Sequence, residues 1–254
     1  MGYADGVFDL TGKVVVVTGG SRGLGRQIAT AVAKSGADVV IASRKLAACE
    51  QAASEIRNET GRQAMAYGVH VGRWDELEPF VDAVYDRFGR VDVLFNNAGM
   101  SPAYDKLTDV TEKLFDSVVN LNFKGPFRLA ALIGERMHAA GRGSIINVSS
   151  SGSIRPTGRI IPYAGAKAAL NAMSAGLAEG LGPHVRVNTL MPGTFQTDVA
   201  KAWDFDAVTE DRKERTALQR VGQPAEIIGA ALFLASDASS YTSGTIIRVD
   251  GGMF

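Results

Sequence analysis

Short bursts of β-branched and aliphatic residues recur along this chain, separated by helix-length segments, and this alternation constrains the fold more than any other feature. Lys13–Thr18 (KVVVVT) runs without polar alternation, the pattern of a strand covered on both faces. Asp38–Ala42 (DVVIA), Val91–Phe95 (VDVLF), Ser144–Val148 (SIINV), Val185–Leu190 (VRVNTL) and Thr245–Val249 (TIIRV) repeat it, with a weaker run at Ala64–Val71. The intervening segments carry apolar residues at three- and four-residue spacing, such as Ile28, Val32 and Ala33, or Phe80, Val81, Val84 and Phe88.

Strand and helix in strict alternation imply right-handed crossovers and a parallel sheet with helices on both faces. The expected fold is therefore α/β, a doubly wound, Rossmann-type sheet of about seven strands. No Pro/Ser-rich linker or charge run interrupts the series, so residues 1–254 read as one domain. The exception to the alternation is 194–216, a polar stretch with Phe195, Trp203 and Phe205. It is either a helical excursion packing its aromatics on the core or a lobe covering a substrate.

Composition narrows the function classes. Hydrophobic residues make up 46% of the chain, enough for a large buried sheet, and 27 basic residues balance 27 acidic ones. A neutral chain without a basic stripe offers no field for nucleic acid. One cysteine, Cys49, and three scattered histidines, His70, His138 and His184, give neither an internal disulfide nor a metal motif. The start, MGYADG, lacks a basic, then apolar, leader, and no apolar run approaches the roughly 20 residues of a membrane span. The expectation is a cytoplasmic protein without metal, membrane or nucleic-acid partner.

TGGSRGLG, Thr18–Gly25, joins the first strand to the first helix. Gly19, Gly23 and Gly25 fall where the backbone must turn and approach a ligand closely, with Ser21, Arg22 and Leu24 between them. Free N–H groups and the helix dipole there favour a pyrophosphate. After the second strand stand Ser43, Arg44 and Lys45, where an NAD-binding fold presents a carboxylate to the adenosine ribose. Arg22 and Arg44 can instead clamp a 2′-phosphate, which favours NADP(H) over NAD(H).

These motifs, in this order, resemble the short-chain dehydrogenase/reductase family from about Leu10 onward, in particular its β-ketoacyl-acyl carrier protein reductases. NNAG resembles the family's segment after the fourth strand, which implies that Asn97, Ala98 and Gly99 line the adenosine side. Pro192-Gly193 with Thr197 resembles its nicotinamide-contacting loop. Ser150, Tyr163 and Lys167 resemble its catalytic set, with Asn122 in NFKG as fourth member. By the family's spacing to the tyrosine, the resemblance implies Ser150 and not its neighbours Ser149 or Ser151.

Tyr163 and Lys167 stand at i and i+4, so on a helix they share a face. A hydride moving to a carbonyl carbon needs a proton delivered to the developing alkoxide, and the reverse reaction needs that proton removed. A free tyrosine is ionised to about one part in a thousand at pH 7, a cost of roughly 4 kcal/mol for the oxidative direction that neighbouring positive charge lowers. By the resemblance, the lysine also holds the nicotinamide ribose, the serine positions the substrate oxygen, and the asparagine anchors a proton-relaying water.

Where many family members carry Asp-Val after the third strand, this chain has His70-Val71, either an adenine contact or a plain surface histidine. The tyrosine helix is rich in small residues, Ala164, Ala168, Ala169, Ala172, Ala175 and Gly176, and the family places it at a subunit interface, usually of a tetramer. Arg155 and Arg159 precede Tyr163 as solvated charges or as greeters of an acidic substrate. The expected activity is reduction of a ketone or aldehyde, or the reverse, with NADP(H). The alternatives are an NAD-linked alcohol or polyol dehydrogenase and, from another class, a catalytically silent dinucleotide-binding protein.

Overall fold

The computed structural model describes residues 6–197 and 205–254. Its seven strands are β1 (Val14–Thr18), β2 (Asp38–Ser43), β3 (Ala64–Gly68), β4 (Val93–Asn96), β5 (Gly143–Val148), β6 (Val185–Pro192) and β7 (Ile246–Val249). They form one parallel sheet in the order β3-β2-β1-β4-β5-β6-β7. The eight α-helices of the described residues are α1 (Gly23–Lys34), α2 (Leu46–Thr60), α3 (Leu77–Phe88), α4 (Glu112–Val119), α5 (Gly125–Ala139), α6 (Ile161–Gly180), α7 (Phe205–Arg215) and α8 (Ile228–Ala235).

Side chains alternate across a strand, so each β-branched run feeds two cores. Val15, Val17, Val39, Ile41 and Phe95 pack one face against α1, α2 and α8 through Ile28, Val32, Ile56 and Leu234. Val14, Val16, Val40 and Leu94 pack the other against α3 and α5 through Phe80, Val84, Leu129 and Ile133. Phe80 and Phe95 are both fully buried, worth about 1.5–3 kcal/mol each. The doubly wound fold expected from the alternation is the one observed.

Strand ends differ from the sequence reading for local reasons. β3 stops at Gly68 and not at Val71, because the His70 N–H donates to Glu76 Oε2 at 2.8 Å and His70 Nδ1 accepts the Gly72 N–H at 3.1 Å. This side-chain turn takes the chain out of the ladder. β4 begins at Val93 and not at Val91, since the buried Asp92 carboxylate caps the Val14 N–H at 2.9 Å beside Arg90. In the 194–216 stretch, Phe195 is buried in the core and bridges to Gly222, while α7 occupies its second half. Trp203 lies outside the described residues.

The order reverses between β1 and β4, whose registers pair Val15 with Val93 and Val17 with Phe95. A crevice opens at the carboxyl ends of the strands on either side of such a reversal, and there doubly wound sheets bind ligands.

Candidate active site

At the reversal, Thr18 closes β1 with a hydroxyl that accepts the N–H groups of Asn97 at 3.0 Å and Ala98 at 3.1 Å and donates to Phe95 O at 3.2 Å. The ends of β1 and β4 are thereby locked together. Gly19 has φ +66°, a left-handed conformation that disfavours side chains, and a Cβ there would lie 2.9 Å from Asn97 Nδ2. A Cβ on Gly25 would overlap both Asn97 Nδ2 and the Gly19 carbonyl. The Asn97 amide itself donates to Thr18 O at 2.9 Å and to Gly19 O at 3.3 Å. Its side chain thus braces the glycine turn from behind.

α1 begins without a side-chain cap and without an acidic residue in its first turn. Its leading N–H groups are left for an anion, and the glycine cradle keeps the backbone bare around them. Leu24 turns inward against the core. Ser21 Oγ lies 3.1 Å from Ser43 Oγ, which lies 3.0 Å from the buried Cys49 Sγ, so the two loops of the expected phosphate pocket touch through their hydroxyls. Arg22 and Arg44 are exposed, and among the described residues neither pairs with a carboxylate. These features fit a dinucleotide phosphate: bare N–H donors, paired hydroxyls and two unspent guanidinium groups.

From the far side, β6 ends at Pro192, and the Gly193 N–H donates to Val249 O at 2.9 Å. The chain then runs back toward the start of α1, where Thr197 approaches within 3.8 Å of the position a Gly23 Cβ would take. The glycine turn and this loop face each other across the crevice.

β5 delivers Ser149 and Ser150 at its carboxyl end, and their alternation separates them. Ser149 is buried and donates to Lys167 O, in the backbone of α6, at 3.3 Å. Ser150 points the other way: its hydroxyl accepts the Gly152 N–H at 3.1 Å, and a Cβ on Gly152 would lie 3.4 Å from Ser150 Oγ and 3.8 Å from Tyr163 Cε1, so the serine and the tyrosine flank one spot. On α6, one turn separates Tyr163 from Lys167, whose Nζ lies 5.9 Å from the tyrosine ring centre. The structure therefore brings Ser150, Tyr163 and Lys167 to one place and keeps the Ser149 hydroxyl out of it.

Burial dominates the electrostatics here. It raises the Tyr163 phenol above its ordinary value, with the nearby Ser150 hydroxyl pulling the other way. It lowers the Lys167 ammonium from 10.5 to about 7. Lys167 Nζ donates to Val148 O at 2.7 Å. Such a lysine is readily discharged until a negative or hydroxyl-rich ligand arrives to hold its proton.

Asn122 sits in a π-helical turn, Asn120–Lys124, that joins α4 to α5. It is fully buried, and its amide donates to Met100 O and Val118 O, both at 2.9 Å, while Oδ1 accepts the Met100 N–H at 3.3 Å. A Cβ on Gly99 would lie 2.8 Å from Asn122 Oδ1 and 3.7 Å from Lys167 Nζ, so Gly99 is the close-packed joint between these two. Wide turns of this kind often mark functional positions in helices. Sequence reasoning missed the bracing role of Asn97 and the Thr18 hydroxyl; a hydroxyl at a strand end before a glycine turn is the signal for the latter.

Other expected residues stand apart. Arg159 pairs with Asp105 at 3.1 Å on the surface, and Arg155 is exposed. His70 is spent on its own turn through Nδ1. On α6, Ala168, Ala172, Ala175 and Gly176 form an exposed smooth stripe with Gly165, whereas Ala164 is buried in the interior. Among the described residues no group of three or more metal-ligating side chains exists, and no helix is long and apolar enough to cross a membrane.

A family model described as enoyl-(acyl carrier protein) reductase matches residues 19–254. Dehydrogenase/reductase SDR family member 4 of Oryctolagus cuniculus is 34% identical over 245 residues, 96% of this chain and 94% of that protein. The 3-oxoacyl-[acyl-carrier-protein] reductase FabG of Chlamydia trachomatis serovar D is 37% identical over 245 residues, covering 96% and 98%. Among solved structures, a gluconate 5-dehydrogenase from Burkholderia cenocepacia J2315, in complex with NADP and tartrate, superposes with a TM-score of 0.93 at 32% identity and covers 98% of both chains. With the sheet order, the glycine turn and the serine–tyrosine–lysine cluster already in view, these likenesses show that the chain belongs to the short-chain dehydrogenase/reductase family and is an oxidoreductase acting on CH–OH groups.

Proposed function

We propose that this enzyme uses NADP(H) to reduce a ketone or aldehyde to the alcohol, or runs the same step in reverse, with Tyr163 as general acid and base. The observation that carries the reading is the gathering of Ser150, Tyr163 and the buried Lys167 at the carboxyl end of β5, where Lys167 Nζ lies 5.9 Å from the Tyr163 ring centre and donates to Val148 O. NADP(H), when bound, supplies or accepts the hydride. Its pyrophosphate would lie on the first turn of α1, between Gly19 and Gly25, and its 2′-phosphate against Arg22, Arg44, Ser21 and Ser43. Ala98, Gly99, Pro192, Gly193 and Thr197 would complete the walls, with Asn97 acting through the turn it braces.

Tyr163, kept protonated by burial, holds a proton ready for a developing alkoxide at a carbonyl oxygen aligned by the Ser150 hydroxyl. In the oxidative direction the phenol must lose that proton, and a Lys167 recharged by ribose hydroxyls lowers the cost through its positive charge. Asn122, its amide committed to Met100 and Val118, serves the site by fixing the Gly99–Met100 segment and the main chain of the π-turn. The 194–216 stretch, anchored at Phe195, is the proposed substrate cover of the single 1–254 domain. The exposed small-residue stripe of α6 supports a homo-oligomer, a tetramer by family resemblance.

The test is parallel titration with NADPH and NADH by nicotinamide fluorescence, repeated with Arg44→Ala, followed by a carbonyl-compound screen with Tyr163→Phe. Preference for NADPH that the arginine variant loses, and turnover that the tyrosine variant loses by about 10²-fold or more, are expected. Equal or NADH-favouring binding overturns the cofactor assignment. Turnover retained in Tyr163→Phe overturns the acid–base assignment.

A further inference from the structure

α6 needs an acceptor at its amino end that its own N-cap does not supply. Ile160, the N-cap residue, has no side-chain cap bond, and Pro162 in the first turn has no N–H to place. The Ile161 N–H is instead accepted by the phenol oxygen of Tyr104 at 2.9 Å, from 57 residues upstream. Tyr104 belongs to the segment that leaves Gly99 beside Asn122 and Lys167. It is 8% exposed, and from Ser101 to Asp109 every other residue is at least partly exposed. A buried aromatic in an otherwise solvated loop is held there by a specific partner, and the partner is the first turn of the helix that carries Tyr163 two residues later.

The geometry points to Tyr104 as a positioning residue for Tyr163, tying the 101–106 loop and the first turn of α6 into one unit. The tie is a neutral, part-buried hydrogen bond whose phenol side is sheltered, and the neighbouring Asp105–Arg159 ion pair joins the same loop to the segment just before α6 on the surface, where it adds little. Tyr104 touches the helix backbone through its oxygen and packs through its ring, so the two roles separate in Tyr104→Phe. Without the acceptor, the Ile161 N–H must turn to water and the first turn loosens, carrying the Tyr163 phenol off its alignment with Ser150.

The catalytic part of this inference rests on the reading of Tyr163 as general acid. In Tyr104→Phe, amide hydrogen exchange across the Ile161–Ala164 turn is expected to accelerate by about tenfold, the loss of one part-buried hydrogen bond. The turnover number for carbonyl reduction is expected to fall by about tenfold, while the KM for NADPH stays within about twofold. Unchanged exchange overturns the tie. Accelerated exchange with wild-type turnover, or turnover and cofactor KM worsening together, overturns the positioning role. A wild-type protein inactive on every carbonyl compound instead counts against the reading of Tyr163, and the exchange rates then decide the Tyr104 tie alone.

Discussion

Lys167 Nζ donates to the carbonyl oxygen of Val148 at 2.7 Å, and among the described residues no carboxylate joins them. A buried ammonium held by one neutral acceptor is poorly compensated, which is why its pKa falls from 10.5 to about 7. Between these two values the unfolded chain binds a proton that the folded chain does not. Stability of the cofactor-free protein therefore rises with pH across the window from about 7 to 10.5, and below about 7 the burial cost is present in full.

Lys167→Met follows from that sign. Relative to wild type, the variant is expected to gain stability most at about pH 6, by on the order of 5 kcal/mol at the limit, and the gain shrinks as pH approaches 10. The lost bond to Val148 O subtracts about 1 kcal/mol at every pH and leaves the slope untouched. Denaturant unfolding of both proteins at several pH values is the measurement; a constant offset would show that Lys167 does not titrate in this range.

Gly25→Ala tests the cradle. Its added methyl group meets the Gly19 carbonyl, which is backbone, and Asn97 Nδ2, which is held by its bonds to Thr18 O and Gly19 O. The expected result is a loss of about 1–3 kcal/mol in unfolding free energy together with a much larger loss of dinucleotide binding, read by fluorescence titration. Unaltered binding would place the phosphate away from this turn.

The two neighbouring serines of β5 should part company in a kinetic comparison. Ser150→Ala removes the hydroxyl beside Tyr163, and turnover is expected to drop by about 10²-fold. Ser149→Ala removes a bond to Lys167 O, and the expected consequence is about 1 kcal/mol of stability with turnover within a few-fold of wild type. Equal effects of the two substitutions would contradict the division of roles by strand alternation.

The strands were legible because β-branched runs such as Val14–Thr18 have nowhere to go but a doubly covered sheet; Tyr163 and Lys167 were singled out by the family resemblance, and the i,i+4 spacing adds only that they share a helical face. What the sequence hid is set by contacts between distant segments. Asn97 reads as one residue of a motif, and only the approach of β4 to β1 reveals its bonds to Thr18 and Gly19. His70 reads as a ligand contact or a surface residue until its Nδ1 is seen closing a turn on Gly72, the reason β3 ends early. The neutralising environment of Lys167 is equally invisible, since desolvation is a property of the packed helix and of no local pattern.

Arg22 and Arg44 are exposed and unpaired with carboxylates among the described residues, so any pull they exert on a 2′-phosphate acts through solvent. Charges in that position are screened once the Debye length falls from about 10 Å at 0.1 M salt to a few ångströms near 1 M. NADPH carries the extra phosphate and NADH does not, so the NADPH dissociation constant should rise by about tenfold between about 50 mM and 0.5 M salt while that for NADH rises by about half as much on a logarithmic scale. Arg44→Ala should bring the NADPH slope down toward that of NADH. Parallel slopes in the wild type would mean that the guanidinium groups do not reach the phosphate, and that discrimination rests on the Ser21 and Ser43 hydroxyls, which touch at 3.1 Å and whose neutral bonds salt leaves almost unchanged.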